Sequence, residues 1–108
     1  MTILTVDGLN AEFNEDHWNT HVLKRHPELA PYREFVIETL KQPEAVYRSK
    51  RNSSTRIYAR NYKEIRIEGS LVERISLRVV VREKNAFLVT AYFAVAGFGS
   101  LGERIWPS

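Results

Sequence analysis

The chain has no cysteine, which removes disulfide frameworks, thiolate nucleophiles, iron–sulfur clusters and Cys-built zinc sites from consideration. It also lacks any run of about 18 uninterrupted apolar residues, so no membrane-spanning helix and no membrane partner are expected. The opening Met1-Thr2-Ile3-Leu4-Thr5-Val6 has neither a basic leader nor a long apolar stretch; a secretion signal is not expected, and a cytoplasmic location follows. No internal repeat and no low-complexity tract is visible. What remains is 108 residues, 44% hydrophobic and 27% charged, the size and composition of one globular domain spanning 1–108.

The net charge is only +3, but it is unevenly placed. Residues 1–50 hold six Lys/Arg against eight Asp/Glu, whereas residues 51–108 hold ten against five. The basic half and a pI near 9.4 point to a polyanionic partner, against the plainer alternative of a solvated basic surface.

Asn14 is an N-cap candidate followed by Glu15 and Asp16, and a helix is expected over roughly 15–26, ending at Pro27. Trp18 and Val22 form its apolar stripe; His17, His21 and Arg25 lie on a neighbouring one. A second helix is expected from Pro31 to Lys41, stopped by Pro43, with Phe35, Val36 and Leu40 at helical spacing. A short strand is expected at 45–47, then a polar loop over 49–54. From Thr55 the period changes to two, with β-rich runs at 55–67, 72–82 and 87–95 separated by Glu68-Gly69-Ser70 and Lys84-Asn85. The expected fold class is α+β: helices over roughly 15–41 packed on one face of a three- to four-stranded antiparallel sheet over roughly 45–95, then a C-terminal loop over 97–108.

Odd positions of the three runs are mostly apolar and predict one core shared by Trp18, Phe35, Leu77, Val79 and Phe93. Even positions hold Arg56, Tyr58, Arg60, Tyr62, Arg66, Arg74, Arg78, Arg82 and Tyr92. They share one face only if each hairpin loop has an odd number of residues or a bulge. On that condition Arg56, Tyr58, Arg60, Arg74 and Arg78 become candidate RNA-binding residues: arginine forks hold phosphates and tyrosine rings stack bases.

All three histidines, His17, His21 and His26, fall within ten residues beside Arg25, placing acid/base groups next to a phosphate-binding cation. His17 and His21 also have the i, i+4 separation of a zinc pair, but no third ligand is evident, and no metal or cofactor is expected. Gly97-Phe98-Gly99-Ser100-Leu101-Gly102 spells a dinucleotide-binding fingerprint, yet too little chain follows for the required helix. Its glycines are expected to let Ile105 and Trp106 fold back onto the body. Ser53, Ser54, Ser76 and Ser100 show no nucleophile elbow.

The segments His17-Trp18-Asn-Thr-His21-Val-Leu-Lys-Arg25-His26-Pro27-Glu28, Thr39-Leu40 with Pro43, Arg56-Ile-Tyr58, Val79-Val-Val81 and Leu88-Val-Thr90-Ala91-Tyr92 resemble the phage-associated branch of the barnase–EndoU–colicin–RelE (BECR) nuclease superfamily. The resemblance covers most of residues 15–95. It implies a toxin-like, metal-independent endoribonuclease, with catalytic positions at His21, Arg25 and His26 on the first helix and at Thr90 and Tyr92 on the last strand. It further implies RNA transesterification through a 2′,3′-cyclic phosphate. RNA is the expected partner; a protein inhibitor and a second copy of the chain stay open. Two rival classes remain: a non-catalytic RNA-binding module, and a dimeric interaction protein built on an uncovered sheet.

Overall fold

In the computed structural model, which describes residues 1–95 and 101–107, seven strands form one mixed sheet. They are β1 (Thr2–Leu4), β2 (Asn10–Glu12), β3 (Ala45–Ser49), β4 (Thr55–Ile67), β5 (Ser70–Arg82), β6 (Phe87–Ala94) and β7 (Gly102–Trp106), in the order β1-β2-β6-β5-β4-β3-β7. All neighbours are antiparallel except β2 and β6, which meet in parallel at Glu12 and Phe87. The α+β class stands, but the expected three- to four-stranded antiparallel sheet is replaced by seven mixed strands. The extra strands are three to five residues long and carry too little alternation to read; β1 and β2 each bury one side chain, Ile3 and Ala11. The expected C-terminal loop is instead β7 from Gly102 onward, with Ile105 and Trp106 packed on the main core. Positions 97–100 of that loop lie outside the described residues.

Helix α1 covers residues 15–25. Asn14 caps it, its side chain accepting from the His17 N–H at 2.9 Å. Only Glu15–His17 and Leu23–Arg25 are α-helical; Trp18–Val22 form a π segment in which the Leu23 N–H reaches the Trp18 carbonyl. Trp18 and Val22 are buried from this segment. A 3₁₀ turn, Pro27–Tyr32, leads to α2 (Arg33–Lys41), so the second α-helix begins two residues after Pro31, whose ring disrupts regular α-helical bonding. Val36, Thr39 and Leu40 are buried, and Phe35 stacks on Tyr62 with centroids 4.5 Å apart. Among the described residues no helix is long and apolar enough to cross a membrane.

The β4–β5 register carries the main correction. Ile67 pairs with Ser70, leaving the two-residue turn Glu68–Gly69 with both central φ values positive, the type I′ pattern. Directly opposed residues of a ladder point to the same side, and an even loop pairs even positions of β4 with odd positions of β5. Tyr58 therefore lies beside Val79 and Arg60 beside Leu77, whereas Ala59 lies beside Arg78. The Arg/Tyr positions of β4 from Arg56 to Tyr62 face the helices; those of β5 face the other way. β5 and β6 do match, because a bulge between Val80 and Val81 resets the phase and sets Arg78 beside Tyr92 and Val80 beside Thr90. The expected single Arg/Tyr face is thus split between the two sides of the sheet.

The main core joins Phe13, Trp18, Val22, Leu29, Val36 and Leu40 to Tyr58, Leu77, Val79 and Val81, with Phe35 and Phe93 packed against it. Beyond Glu64, held at φ 58, the odd-numbered Ile65 and Ile67 also join this cluster. A smaller cluster on the opposite face contains Ala45, Tyr47, Ile57, Ala59 and Leu101, with Val80 packed against it.

Gly102 locks β7 to β3. Its φ is 130, and an added Cβ would stand 2.1 Å from the Arg48 carbonyl oxygen and 2.9 Å from the Lys50 nitrogen. Gly102→Ala should destabilise the fold by about 1–3 kcal/mol in denaturant melts. A variant as stable as wild type would mean that β7 contributes nothing in its observed register.

Candidate active site

Among the described residues β2 touches β6 at a single position, which leaves residues 88–94 without a strand on that side. Helix α1 lies against this edge. His17 Nε2 is 2.7 Å from the Val89 carbonyl oxygen; a carbonyl only accepts, so the ring donates through Nε2–H. Val89 is the residue left over by the bulge, between Leu88 opposite Val81 and Thr90 opposite Val80. The His17 ring also meets Phe87 edge-on at 4.9 Å and His21 at 4.8 Å. His17 thus anchors the helix and presents its neighbour, and a cleft of about 220 Å³ opens between His17, His21, Arg25, Val89 and Thr90.

At the end of α1, His26 adopts φ −132 before Pro27 and leaves the helical path. Its ring centroid is 6.1 Å from that of Tyr92, and its Nδ1 is 3.5 Å from a Glu28 carboxylate oxygen. The five candidate catalytic residues, His21, Arg25, His26, Thr90 and Tyr92, accordingly lie along one edge of the sheet. Chain order alone left open how histidines beneath the sheet could meet residues on its other face. The route is around the edge of β6.

Tyr92 also borders a second cleft, of about 430 Å³, on the face away from the helices. Its cations are Lys50, Arg51 and Arg78, and its apolar lining is Ile57, Val80 and Leu101. Arg78 is only 8% exposed, so it is no ordinary surface arginine. Lys50 and Arg51 were not singled out from the sequence because they sit in what reads as a polar connection; the adjacent basic pair was the available signal.

The remaining candidate RNA-binding residues are held elsewhere. Arg56 donates through Nη1 to Asp7 at 2.7 Å and through Nε to Glu83 at 3.2 Å, and Glu83 also accepts from Arg48 at 3.3 Å. The Tyr58 ring is fully buried and its hydroxyl donates to Asp7 at 2.6 Å, leaving no surface for a base to stack upon. Arg60 donates to the Gln42 carbonyl at 2.5 Å, lies 3.5 Å from Glu38 and covers the Tyr62 ring. Arg74 is exposed on the long β4–β5 hairpin, directly across from Lys63 and beside Glu64 and Glu73. Of the five, only Arg78 adjoins the β6 edge.

Burial pushes the Asp7 carboxyl upward, but hydrogen bonds from Tyr58, Thr5 and Arg56 and the charge of Arg56 outweigh it, holding Asp7 below the usual carboxylate range. Glu83 is likewise lowered: desolvation raises it, but its hydrogen bonds to Arg56 and Arg48 and their charges together outweigh that. Burial and the Asp7 carboxylate push the Tyr58 phenol well above its ordinary range.

Among the described residues no three His, Asp or Glu side chains come together as a metal-binding group. No protein-family model matches the chain, and no curated protein or solved structure matches it.

The lowered carboxylates make an acid limb testable. A carboxylate whose folded pKa is depressed adds stability above its unfolded pKa, about 4, and loses it as pH falls through the folded value, because the unfolded chain binds protons first. Asp7→Asn should cost about 1.5–3 kcal/mol at neutral pH, and its deficit against wild type should shrink progressively below about pH 4. Denaturant melts across that range read the difference. A deficit that stays constant with pH would show that the Asp7 charge is not what holds Arg56 and Tyr58.

Proposed function

We propose that the chain is an endoribonuclease-like domain that cleaves single-stranded RNA at the β6 edge with its own side chains, without metal or cofactor. The observation that carries the reading is the meeting of two imidazoles, an arginine and two hydroxyls at that edge: His21, Arg25 and Thr90 line one cleft, and His26 faces Tyr92. The resemblance to the phage-associated branch of the BECR superfamily points the same way, and a cytoplasmic location goes with it.

In this reading the ribose 2′-hydroxyl attacks the adjacent phosphorus. The P–O2′ bond forms, the P–O5′ bond breaks, and the products are a 2′,3′-cyclic phosphate and a 5′-hydroxyl. His21 and His26 act as the base that takes the 2′-hydroxyl proton and the acid that protonates the leaving oxygen. Arg25 offsets the charge of the pentacoordinate transition state, and the Thr90 and Tyr92 hydroxyls hold non-bridging oxygens.

The test is incubation of the purified protein with a mixed pool of single-stranded RNA in EDTA, followed by detection of cyclic-phosphate ends. His21→Ala should lower the cleavage rate by about 10²–10⁴-fold while leaving RNA affinity within a few-fold and the melting temperature nearly unchanged, because His21 is exposed. The rate should vary with pH across the titration range of imidazole. Equal cleavage by wild type and a His21→Ala, His26→Ala double variant would remove α1 from the chemistry. RNA binding with no cleavage at all would replace the nuclease by a binding module.

A further inference from the structure

We infer that the outer side of the β4–β5 hairpin, around Leu71, is an interface through which two copies of this chain pair about a two-fold axis, independently of any action on RNA. β3 ends with Ala45 opposite Ala59, and β6 ends with Ala94 opposite Ser76. Among the described residues, positions 61–67 and 70–75 therefore stand beyond the rest of the sheet as a two-stranded ribbon. Its inner side is committed: Tyr62, Ile65 and Ile75 are buried in the main core, Tyr62 stacks on Phe35, and the Tyr32 hydroxyl accepts from the Arg66 N–H at 2.9 Å. Directly opposed residues share a side, so Lys63 with Arg74, and Arg66 with Leu71, point away from that core.

Charge is the first argument. Lys63, Arg66 and Arg74 are interleaved there with Glu64, Glu68 and Glu73; all six are exposed, and among the described residues none of their side chains forms an ion pair. Elsewhere the chain sets carboxylates against Arg33, Arg48, Arg56 and Arg60. Three cations among three carboxylates suit neither a polyanion nor a protein surface of one sign, because either would meet half of the patch with like charge. A second copy turned by a two-fold axis meets it with the same balanced set, and an isologous interface has to be self-complementary in this way. Backbone geometry is the second argument. The ladder passes from Lys63 opposite Arg74 to Ile65 opposite Val72 without pairing Glu64 with Glu73, and Glu64 holds φ 58, a conformation that is strained for a residue other than glycine. That local break places one exposed carboxylate on each strand beside the outward-facing cations.

Shape is the third. Leu71 is 52% exposed and borders a hollow of about 480 Å³ together with Lys63, Glu64, Glu73 and Arg74. The ribbon thus carries both an apolar knob and a recess beside it, and a two-fold axis sets the Leu71 of each copy against the recess of the other. The methylene stems of Lys63 and Arg74 line that recess, while their charged heads reach the rim. Burial of the two leucines supplies the attraction, and the rim charges fix the orientation. Because the inner side is already packed and bonded, little ordering is needed on association. A contact confined to one ribbon falls at the low end of interface areas, below about 1,200 Å², so the dimer is a weak one that follows protein concentration.

The experiment follows the mass of the whole chain by sedimentation equilibrium, and its amide spectrum, from about 5 μM to 1 mM at low and at high salt. The mass should rise from one chain toward two, the amides that shift on dilution should centre on residues 63–74, and high salt should weaken the association. Leu71→Ser should raise the dissociation constant about tenfold or more. A Lys63→Glu, Arg74→Glu variant and a Glu64→Lys, Glu73→Lys variant should each stay monomeric alone, because like charges then face each other, and should form a one-to-one heterodimer when mixed. All of these positions are exposed, so the fold should be kept, and thermal melts check it. The dilution shifts of the unaltered chain need no variant and decide the question even if one of them fails to fold. A mass of one chain throughout, dilution shifts on another surface, dimerisation of both charge variants as in wild type, or no heterodimer on mixing would each overturn the interface. None of these readouts involves RNA, so the nuclease reading stands or falls separately.

Discussion

A two-residue turn at Glu68–Gly69 decides which side of the sheet each β4 side chain occupies. Its even length turns Arg56, Tyr58 and Arg60 toward the helices, where unpaired guanidinium and phenol groups are costly. The rest of that layer supplies what they need. Asp7 comes from the loop between β1 and β2, Glu83 from the loop after β5, and Glu38 from α2. Three separate segments thus converge on one strand, and the short N-terminal strands gain a reason to be present: they carry Asp7 to Tyr58.

The same register sends Arg78 and Val80 of β5 to the other face. Arg78 is set beside Tyr92, and Val80 beside Thr90, by the bulge that restores the match between β5 and β6. That bulge also leaves Val89 out of the ladder, and its carbonyl is the group His17 grasps. One irregularity therefore aligns the cleft, docks the helix and brings its histidines to the sheet edge. The π segment of α1 lies between His17 and the last turn, so the docking point and the His26 end are related by a widened turn rather than a regular helix.

The fold was partly legible. Asn14 as cap, Pro27 as terminator, the change of period at Thr55 and the apolar odd positions of β5 are strong local signals, and each corresponds to an element or a buried face. β1, β2 and β7 were not legible, because strands of three to five residues carry too little alternation to read. The phase of β4 was stated as a condition on loop length, and the condition failed at Glu68–Gly69. Among candidate site residues, the grouping of His17, His21 and Arg25 followed from helical spacing and His26 was added by the resemblance, whereas the role of His17 as anchor and the place of Lys50 and Arg51 beside a cleft depended on partners far away in the chain.

By itself the sequence determined the quantities that depend on neighbours along the chain: the class of the fold, the helix boundaries within a few residues, the apolar faces of β5 and α1, and the supply of imidazole and guanidinium near one another. Tertiary structure alone decided which arginines are structural and which adjoin a cleft. An arginine on a strand has the same local pattern in either case; Arg56 is met by the carboxylate of Asp7, 49 positions away, and Arg78 borders a cleft on the other face. Side-chain direction alternates with every residue, so a single residue of turn length exchanges those two fates, and that length is set by how β4 and β5 pair rather than by the composition of either strand.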